Sequence, residues 1–342
     1  MITERIFDKI RGIDIPEITL HNSAGMEVSI LTYGATIRSV RVPAASGKTI
    51  DVCLGYDSID EYIKNDGYLG GSIGRVANRI GGAAFDLDGV HYTLAANTPP
   101  NHLHGGMHGW STKIWQYTTD PEQNSVTFTC KSADMEEGYP GEVKATAKFT
   151  VTEDNRMIIE YSAVTDKATP VNMTNHWYFN LNGHADGEVL DHELQLIAES
   201  YTETDEGLIP TGKLLSLDGS PLDFRTMKTI RRDFSQVKDL PTKGYDNNFA
   251  LGKPGEFKKF AVLRGNKSGI TMTGSTNMEG VQLYTGNNLK DRAGKEKSHY
   301  TLFSGMCLEP HHYPDAVNKP EFPSAILRPG ETYYHHTEFK FE

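Results

Sequence analysis

Lys144 to Thr152 reads KATAKFTVT and Met157 to Val164 reads MIIEYSAV, with Glu153-Asp154-Asn155 between them. Both runs alternate apolar and polar residues at period two. That period turns one face of a strand toward a core and the other toward water. The polar triplet is a turn seed, because Asp and Asn side chains hydrogen-bond nearby backbone and tolerate left-handed conformations.

The same period extends outward in both directions. Glu17 to His21 (EITLH), Glu27 to Thr32 (EVSILT), Gly269 to Gly274 (GITMTG) and Thr332 to Phe341 (TYYHHTEFKF) repeat it. Asp88-Gly89 and Pro329-Gly330 add turn seeds. The chain holds 33 Gly and 16 Pro, spread along its length, which fits many short strands better than long helices. One helix is expected, over Ser58 to Lys64 (SIDEYIK), with Ser58 as N-cap and Glu61 three residues on. The pattern predicts an all-β antiparallel sandwich or barrel. No repeat, low-complexity tract or composition break marks a linker, so residues 1–342 are expected to form a single domain.

Composition narrows the function classes. Of the 342 residues, 37% are hydrophobic and 23% charged, enough apolar side chain for a core and too little charge for disorder. The net charge of −11 disfavours nucleic acid and anionic membrane surfaces as partners, and suits a neutral small molecule such as a free sugar. Cys53, Cys130 and Cys307 are odd in number and widely spaced, which suggests neither a disulfide framework nor a zinc knuckle. The opening MITERIFDKIRG lacks an apolar core and a small-residue cleavage site, so no signal peptide is expected. No stretch approaches transmembrane length. A cytoplasmic monomer or homodimer is expected.

Polar residues suited to chemistry fall in a few segments: Gly74–Ile80 (GRVANRI), Asn101–His108 (NHLHGGMH), Thr169–Gly183 (TPVNMTNHWYFNLNG), Lys243–Phe249 (KGYDNNF), Gly280–Asn287 (GVQLYTGN) and Cys307–Asn318 (CLEPHHYPDAVN). On a strand, His102 and His104 would share a side and offer two ligands to a metal, but no third ligand is placed for them, so no metal is expected. His176 sits among Asn172, Asn175, Asn180 and Asn182. The commoner fate of a lone histidine is a hydrogen-bonded place in the core. An amide-rich run is expensive to bury without partners, however, and a ligand covered in hydroxyls would supply them. Glu309 follows the apolar Met306-Cys307-Leu308 and precedes Pro310, which predicts a carboxylate at a strand end. Burial there would raise its pKa from about 4.3, and a nearby cation would lower it. Asp246 and Arg79, each alone, read as well as a turn residue and a surface ion pair.

Taken in order, these segments resemble the galactose mutarotase (aldose 1-epimerase) family. Tyr33-Gly34-Ala35-Thr36-Ile37 is similar to its N-terminal YGA strand. Gly74–Ile80, Asn101–Gly106, Thr169–His176, Gly244-Tyr245-Asp246 and Gly280-Val281-Gln282 are similar to further family segments. So are Tyr284–Asn287, Leu308-Glu309, Pro314–Asn318 and Arg328–Glu331. The resemblance implies a large antiparallel β-sandwich with an open sugar-binding cleft. It implies Glu309 as general base, His176 as general acid and His104 as a second active-site histidine. Asn78, Arg79, Asp246 and Gln282 would hold sugar hydroxyls, with no metal or cofactor. The residue types suit the reaction. Opening a hemiacetal ring takes a proton from the C1 hydroxyl and gives one to the ring oxygen. Three departures stand beside the site: Pro310-His311 where the family usually has Thr-Gln, Asn247 where it often has His, and Trp177 where a smaller residue is common. They bear on sugar preference. The alternatives are a hexose-6-phosphate epimerase using Arg75 and Arg79, a glycoside hydrolase pairing Glu309 with Asp246, and a non-catalytic carbohydrate-binding protein.

Overall fold

The computed structural model describes residues 1–64 and 67–342 and is built mainly of antiparallel strands. The two runs that open the sequence reading form Val143–Val151 and Arg156–Thr165, paired from Val143↔Thr165 to Val151↔Met157. Asn155 between them takes a φ of 59°, the left-handed turn its side chain tolerates. These strands sit inside a nine-stranded sheet. Its order is Gln116–Asp120, Ser125–Ser132, Val143–Val151, Arg156–Thr165, Tyr333–Phe341, Thr271–Thr276, Lys258–Arg264, Glu193–Leu196 and Lys228–Thr229.

A five-stranded meander, Ile2–Ile10 through Thr49–Asp51, forms a second sheet. Its second and third strands are the expected EITLH and EVSILT segments, the former extended back to Ile13. Of Tyr33 to Ile37, Thr36 and Ile37 begin a strand, Tyr33 makes an isolated bridge with Ile114, and Gly34-Ala35 is a turn. Ala35 has a φ of 44°, and the turn leads the chain into Thr36–Pro43. The expected helix is present as Ile59–Lys64, but the free Ile59 N–H donates to the Asp8 carboxylate at 3.0 Å.

The third sheet decides where chemistry can occur. Its order is Pro210–Ser216, Ser200–Thr204, Asp246–Ala250, Gly280–Tyr284 and Cys307–His311. Asn248 lies opposite Gln282, and Gln282 opposite Glu309. One step along, Asp246 lies opposite Tyr284, and Tyr284 opposite Cys307. Side chains at i and i+2 share a face, so these polar residues stand together. The alternate residues Phe249, Val281, Leu283 and Leu308 point the other way. They join one apolar cluster with Phe149 and Ile159 of the nine-stranded sheet and Ile18 and Val28 of the meander. Burying each of these large side chains contributes about 1.5–3 kcal/mol. The sandwich therefore holds its third sheet by one face and offers the other for function. No helix among the described residues is long and apolar enough to cross a membrane.

The GRVANRI segment is anchored from beneath. Arg75 is 2% exposed and donates to the carbonyls of Ser132, Ala133, Pro140 and Gly141 and to the hydroxyls of Ser132 and Thr169. Burial brings its guanidinium down to about 10, opposed chiefly by Glu136, so it stays charged at neutral pH. The planar fork matches this fan of acceptors, and a lysine ammonium does not. Arg75→Lys is expected to lower the free energy of unfolding by about 2–4 kcal/mol, because several carbonyls lose their donor. Urea titration measures it, and a loss under about 0.5 kcal/mol would contradict this account of the cage.

Candidate active site

A cavity of about 220 Å³ opens on the polar face of the third sheet. Asn78, Arg79, His104, His176, Asp246, Gln282 and Glu309 all line it, so the structure brings together every residue singled out from the sequence for catalysis or hydroxyl binding. Gly67, Tyr68, Leu103, Tyr178, Tyr284 and Asn288 complete the walls. Arg75 does not line it, having been taken up in its cage of carbonyls.

One wall comes from two segments that the sequence separates. Arg79–Ile80 pairs with His102–Leu103, which joins GRVANRI to NHLHGG. The chain leaves this ladder at His104, whose φ is 50°, and continues through Gly105 at φ 82°. A Cβ on Gly105 would lie 1.9 Å from the Gly74 carbonyl oxygen, so only glycine fits. The Asn78 N–H donates to His104 Nδ1 at 3.1 Å. That fixes the neutral tautomer with its proton on Nε2. Burial, and then the neighbouring His176 and Arg79, hold His104 well below the ordinary histidine range, so it is a neutral donor.

His102, two residues earlier, has a different role. Its Nδ1 lies 2.7 Å from the Ala95 carbonyl and its Nε2 2.7 Å from the Tyr139 hydroxyl. Both ring nitrogens are engaged away from the cleft, so His102 and His104 are no chelating pair.

His176 follows the two-residue strand Thr174–Asn175. Its backbone is fixed by hydrogen bonds with Gly71 and Gly70 at 2.9 and 3.0 Å. The ring Nε2 lies 3.7 Å from Glu309 Oε1, and both side chains are nearly closed off from solvent. Burial pushes His176 down to about 4. Its own backbone opposes this and the His311 charge adds to it. Burial, and then the Asp246 charge, push Glu309 well above the usual carboxylate range, with Arg79 opposing. Asp246 is raised by burial too, against Arg79 at 3.9 Å and a 2.6 Å hydrogen bond from Gln282 Nε2.

Two expectations need correcting. Glu309 stands at the middle of the Cys307–His311 strand, not at its end. The amide run around His176 is held mainly by the protein itself, although Asn175 Oδ1 has no protein hydrogen bond. Asn172 clamps the His312 backbone, Asn175 donates to Gly70 O, Asn180 to Gly187 O and Ser304 O, and Asn182 accepts from Lys267 and Ser268 N–H groups. Their partners are mostly loop backbones, so buried amides do not explain why His176 lines the cleft. The cleft tyrosines were missed. Tyr178 and Tyr284 stand two residues from His176 and Gln282, and period two along those segments would have found them. Tyr68, with a φ of 57° in a loop, gave no signal.

Of the departures, His311 shares Glu309's face of the strand. Its Nε2, Gln282 Oε1 and both polar atoms of the Asn248 side chain have no protein hydrogen bond. Trp177 packs behind the cleft against Phe179 and Phe339. Cys53, Cys130 and Cys307 are free. His176, Cys307 and Glu309 bring potential metal donors within 4.8 Å of one another. However, Nδ1 faces the thiol at 3.5 Å while Nε2 faces the carboxylate. An ion on either nitrogen's in-plane lone pair would reach only one of those partners, so the set does not fit a metal.

Such a face suits proton transfer on a small polyhydroxylated molecule, which is the chemistry of carbohydrate isomerases. Comparison with known proteins names the family. The description Aldose 1-epimerase matches residues 16–340, and the chain belongs to that isomerase family. It is 41% identical to the galactose mutarotase of Homo sapiens over 317 residues, covering 92% of this chain and 91% of the relative. It is 38% identical to the aldose 1-epimerase of Escherichia coli (strain K12) over 328 residues, covering 95% and 94%. The solved structure of a GalM/aldose epimerase homologue from C. elegans superposes with a TM-score of 0.90 at 31% identity, covering 96% of this chain and 99% of that one. The resemblance read from the ordered motifs is correct, and so is the all-β sandwich.

The raised Glu309 pKa sets a stability expectation. Its folded value lies above the ordinary glutamate value of 4.5, so its contribution is fully present below about 4.5 and is lost as pH rises through the folded value. Glu309→Gln removes that loss. Its melting temperature is expected to exceed the parent's by roughly 1–3 °C at pH 8, with the gap closing toward pH 4.5. Calorimetry at both pH values checks this. A variant that melts lower at pH 8 would contradict the burial argument.

Proposed function

We propose that the protein interconverts the α and β anomers of free aldoses such as galactose and glucose, with Glu309 as base and His176 as acid. The carrying observation is the 3.7 Å approach of His176 Nε2 to Glu309 Oε1 inside one cleft. In the forward step Glu309 takes the proton of the C1 hydroxyl. The bond from C1 to the ring oxygen breaks, the C1 carbonyl forms, and His176 Nε2 gives its proton to the departing ring oxygen. Rotation about C1–C2 presents the other face of the carbonyl. Closure reverses both transfers, so the enzyme returns to its starting state.

The electrostatics favour this cycle. Burial disfavours an isolated carboxylate and an isolated imidazolium alike. A pair that shares one proton avoids both isolated charges. The cyclic sugar meets carboxylate and imidazolium. The open aldehyde meets carboxylic acid and imidazole. The pair's net charge is zero throughout, so the exchange never leaves a single unpaired charge in the buried site. His104 Nε2–H and Arg79 lie where they can stabilise charge on sugar oxygens, and Asn78, Asp246 and Gln282 offer hydroxyl partners. The reaction needs no metal, cofactor or covalent intermediate. On this reading residues 1–342 work as one domain in the cytoplasm, as a monomer or homodimer, with a small sugar as the partner. The phosphosugar alternative loses Arg75, one of its two candidate cations.

Polarimetry on freshly dissolved α-galactose tests the roles. Glu309→Gln and His176→Asn are each expected to lower kcat by about 10³-fold or more. His104→Gln is expected to lose less, mainly through KM. Near-normal rates in either of the first two would overturn the assignment, and a His104→Gln variant as inactive as they are would move the acid to His104.

A further inference from the structure

Cys307 touches the proposed acid at a ring nitrogen, and the reaction scheme leaves it without a role. Its Sγ lies 3.5 Å from His176 Nδ1, while His176 Nε2 faces Glu309. Cys307 and Glu309 are two residues apart on one strand and project from the same face. The imidazole therefore lies along that strand, Nδ1 over position 307 and Nε2 over position 309. We propose that Cys307 is a positioning residue for the acid, its sulfur accepting the His176 Nδ1–H so that the exchangeable proton sits on Nε2.

Sulfur is suited to this place. The acid must shed and regain its Nε2 proton in every cycle, while the Nδ1 proton stays put. A carboxylate at position 307 would orient the ring equally well but would stabilise the imidazolium and weaken it as an acid. A thiol is a weak, uncharged acceptor. Burial, and then the Glu309 charge, push its own pKa well above the usual thiol range, so it stays a thiol beside the pair. The other groups facing the His176 ring are Glu309 from the same strand as Cys307, Tyr284 from the adjacent strand, Tyr178 from its own segment, and His104 and Tyr68 from loops. The more distant His311 acts through its charge. Among the described residues, the contacts of Tyr284, Tyr178, His104 and Tyr68 with His176 are ring against ring, so they do not fix which nitrogen carries the proton, and the histidine's own backbone favours the protonated ring alongside the sulfur.

The inference rests on His176 being the acid, and its test separates the two ideas. In the unliganded parent protein at neutral pH, ¹⁵N spectra of the His176 ring are expected to show Nδ1 protonated and Nε2 bare. Cys307→Ala is expected to lower kcat roughly tenfold with KM changed less than about twofold, and to shift the pH limits of kcat. Cys307→Ser, which keeps an acceptor, is expected to restore most of the rate. A ring with Nε2 protonated and Nδ1 bare in the parent protein would overturn the proposal, as would a Cys307→Ala variant with parental kcat and pH profile. If His176→Asn stays active, the assignment of the acid has failed, whatever Cys307 does. If His176→Asn is inactive and Cys307→Ala is normal, only the role of Cys307 has failed.

Discussion

The pairing of Gly280–Tyr284 with Cys307–His311 is the constraint on which the site depends. Glu309 lies directly opposite Gln282, and Gln282 in turn holds Asp246 on the next strand. A slip of one residue in that register would turn Glu309 into the core and Leu308 into the cleft. The slip is opposed because Leu283, Val281 and Leu308 belong to the apolar cluster shared by all three sheets. Hydrophobic burial on one face therefore fixes the positions of charged groups on the other. Glu309, the neighbouring Asp246 carboxylate and the contact of Cys307 with His176 all inherit their places from this pairing.

The core of the sandwich was legible in the sequence wherever one face of a strand is buried. KATAKFTVT and MIIEYSAV alternate because both lie inside a nine-stranded sheet with one face in the core. Ile2–Ile10 gave no comparable signal, since it is an edge strand with most of its side chains exposed. Strand order was not legible. Tyr333–Phe341 pairs with Arg156–Thr165 and Thr271–Thr276 across long stretches of chain, and alternation says nothing about partners. The order of the motifs, rather than any single residue, located the cleft. The reasoning about buried amides failed because it assumed ligand partners, and the loops supplied backbone groups instead.

The site is formed at the expense of stability. Glu309, Asp246, His104 and His176 all have their charged forms disfavoured by burial. None is satisfied by a close oppositely charged partner in the manner of a structural ion pair, since Arg79 stands 3.9 Å from Asp246. Groups left in this condition exchange protons readily when a hydroxylated ligand arrives. His104 has a fixed tautomer set by Asn78 and acts as a donor, whereas His176 keeps Nε2 free toward the base. On the proposed scheme, two histidines in one cleft divide into a reader of hydroxyls and a carrier of protons by what touches Nδ1.

The central claim is that this cleft catalyses ring opening and closure of a free aldose. Exchange NMR on galactose at anomeric equilibrium addresses it directly, through magnetisation transfer between the α and β H1 signals with and without catalytic amounts of the unmodified protein. The account predicts α–β exchange that rises in proportion to protein concentration, and none for a methyl galactoside, whose anomeric oxygen carries no proton for Glu309 to take. Exchange of free galactose, glucose, xylose and arabinose at the buffer rate alone would contradict it.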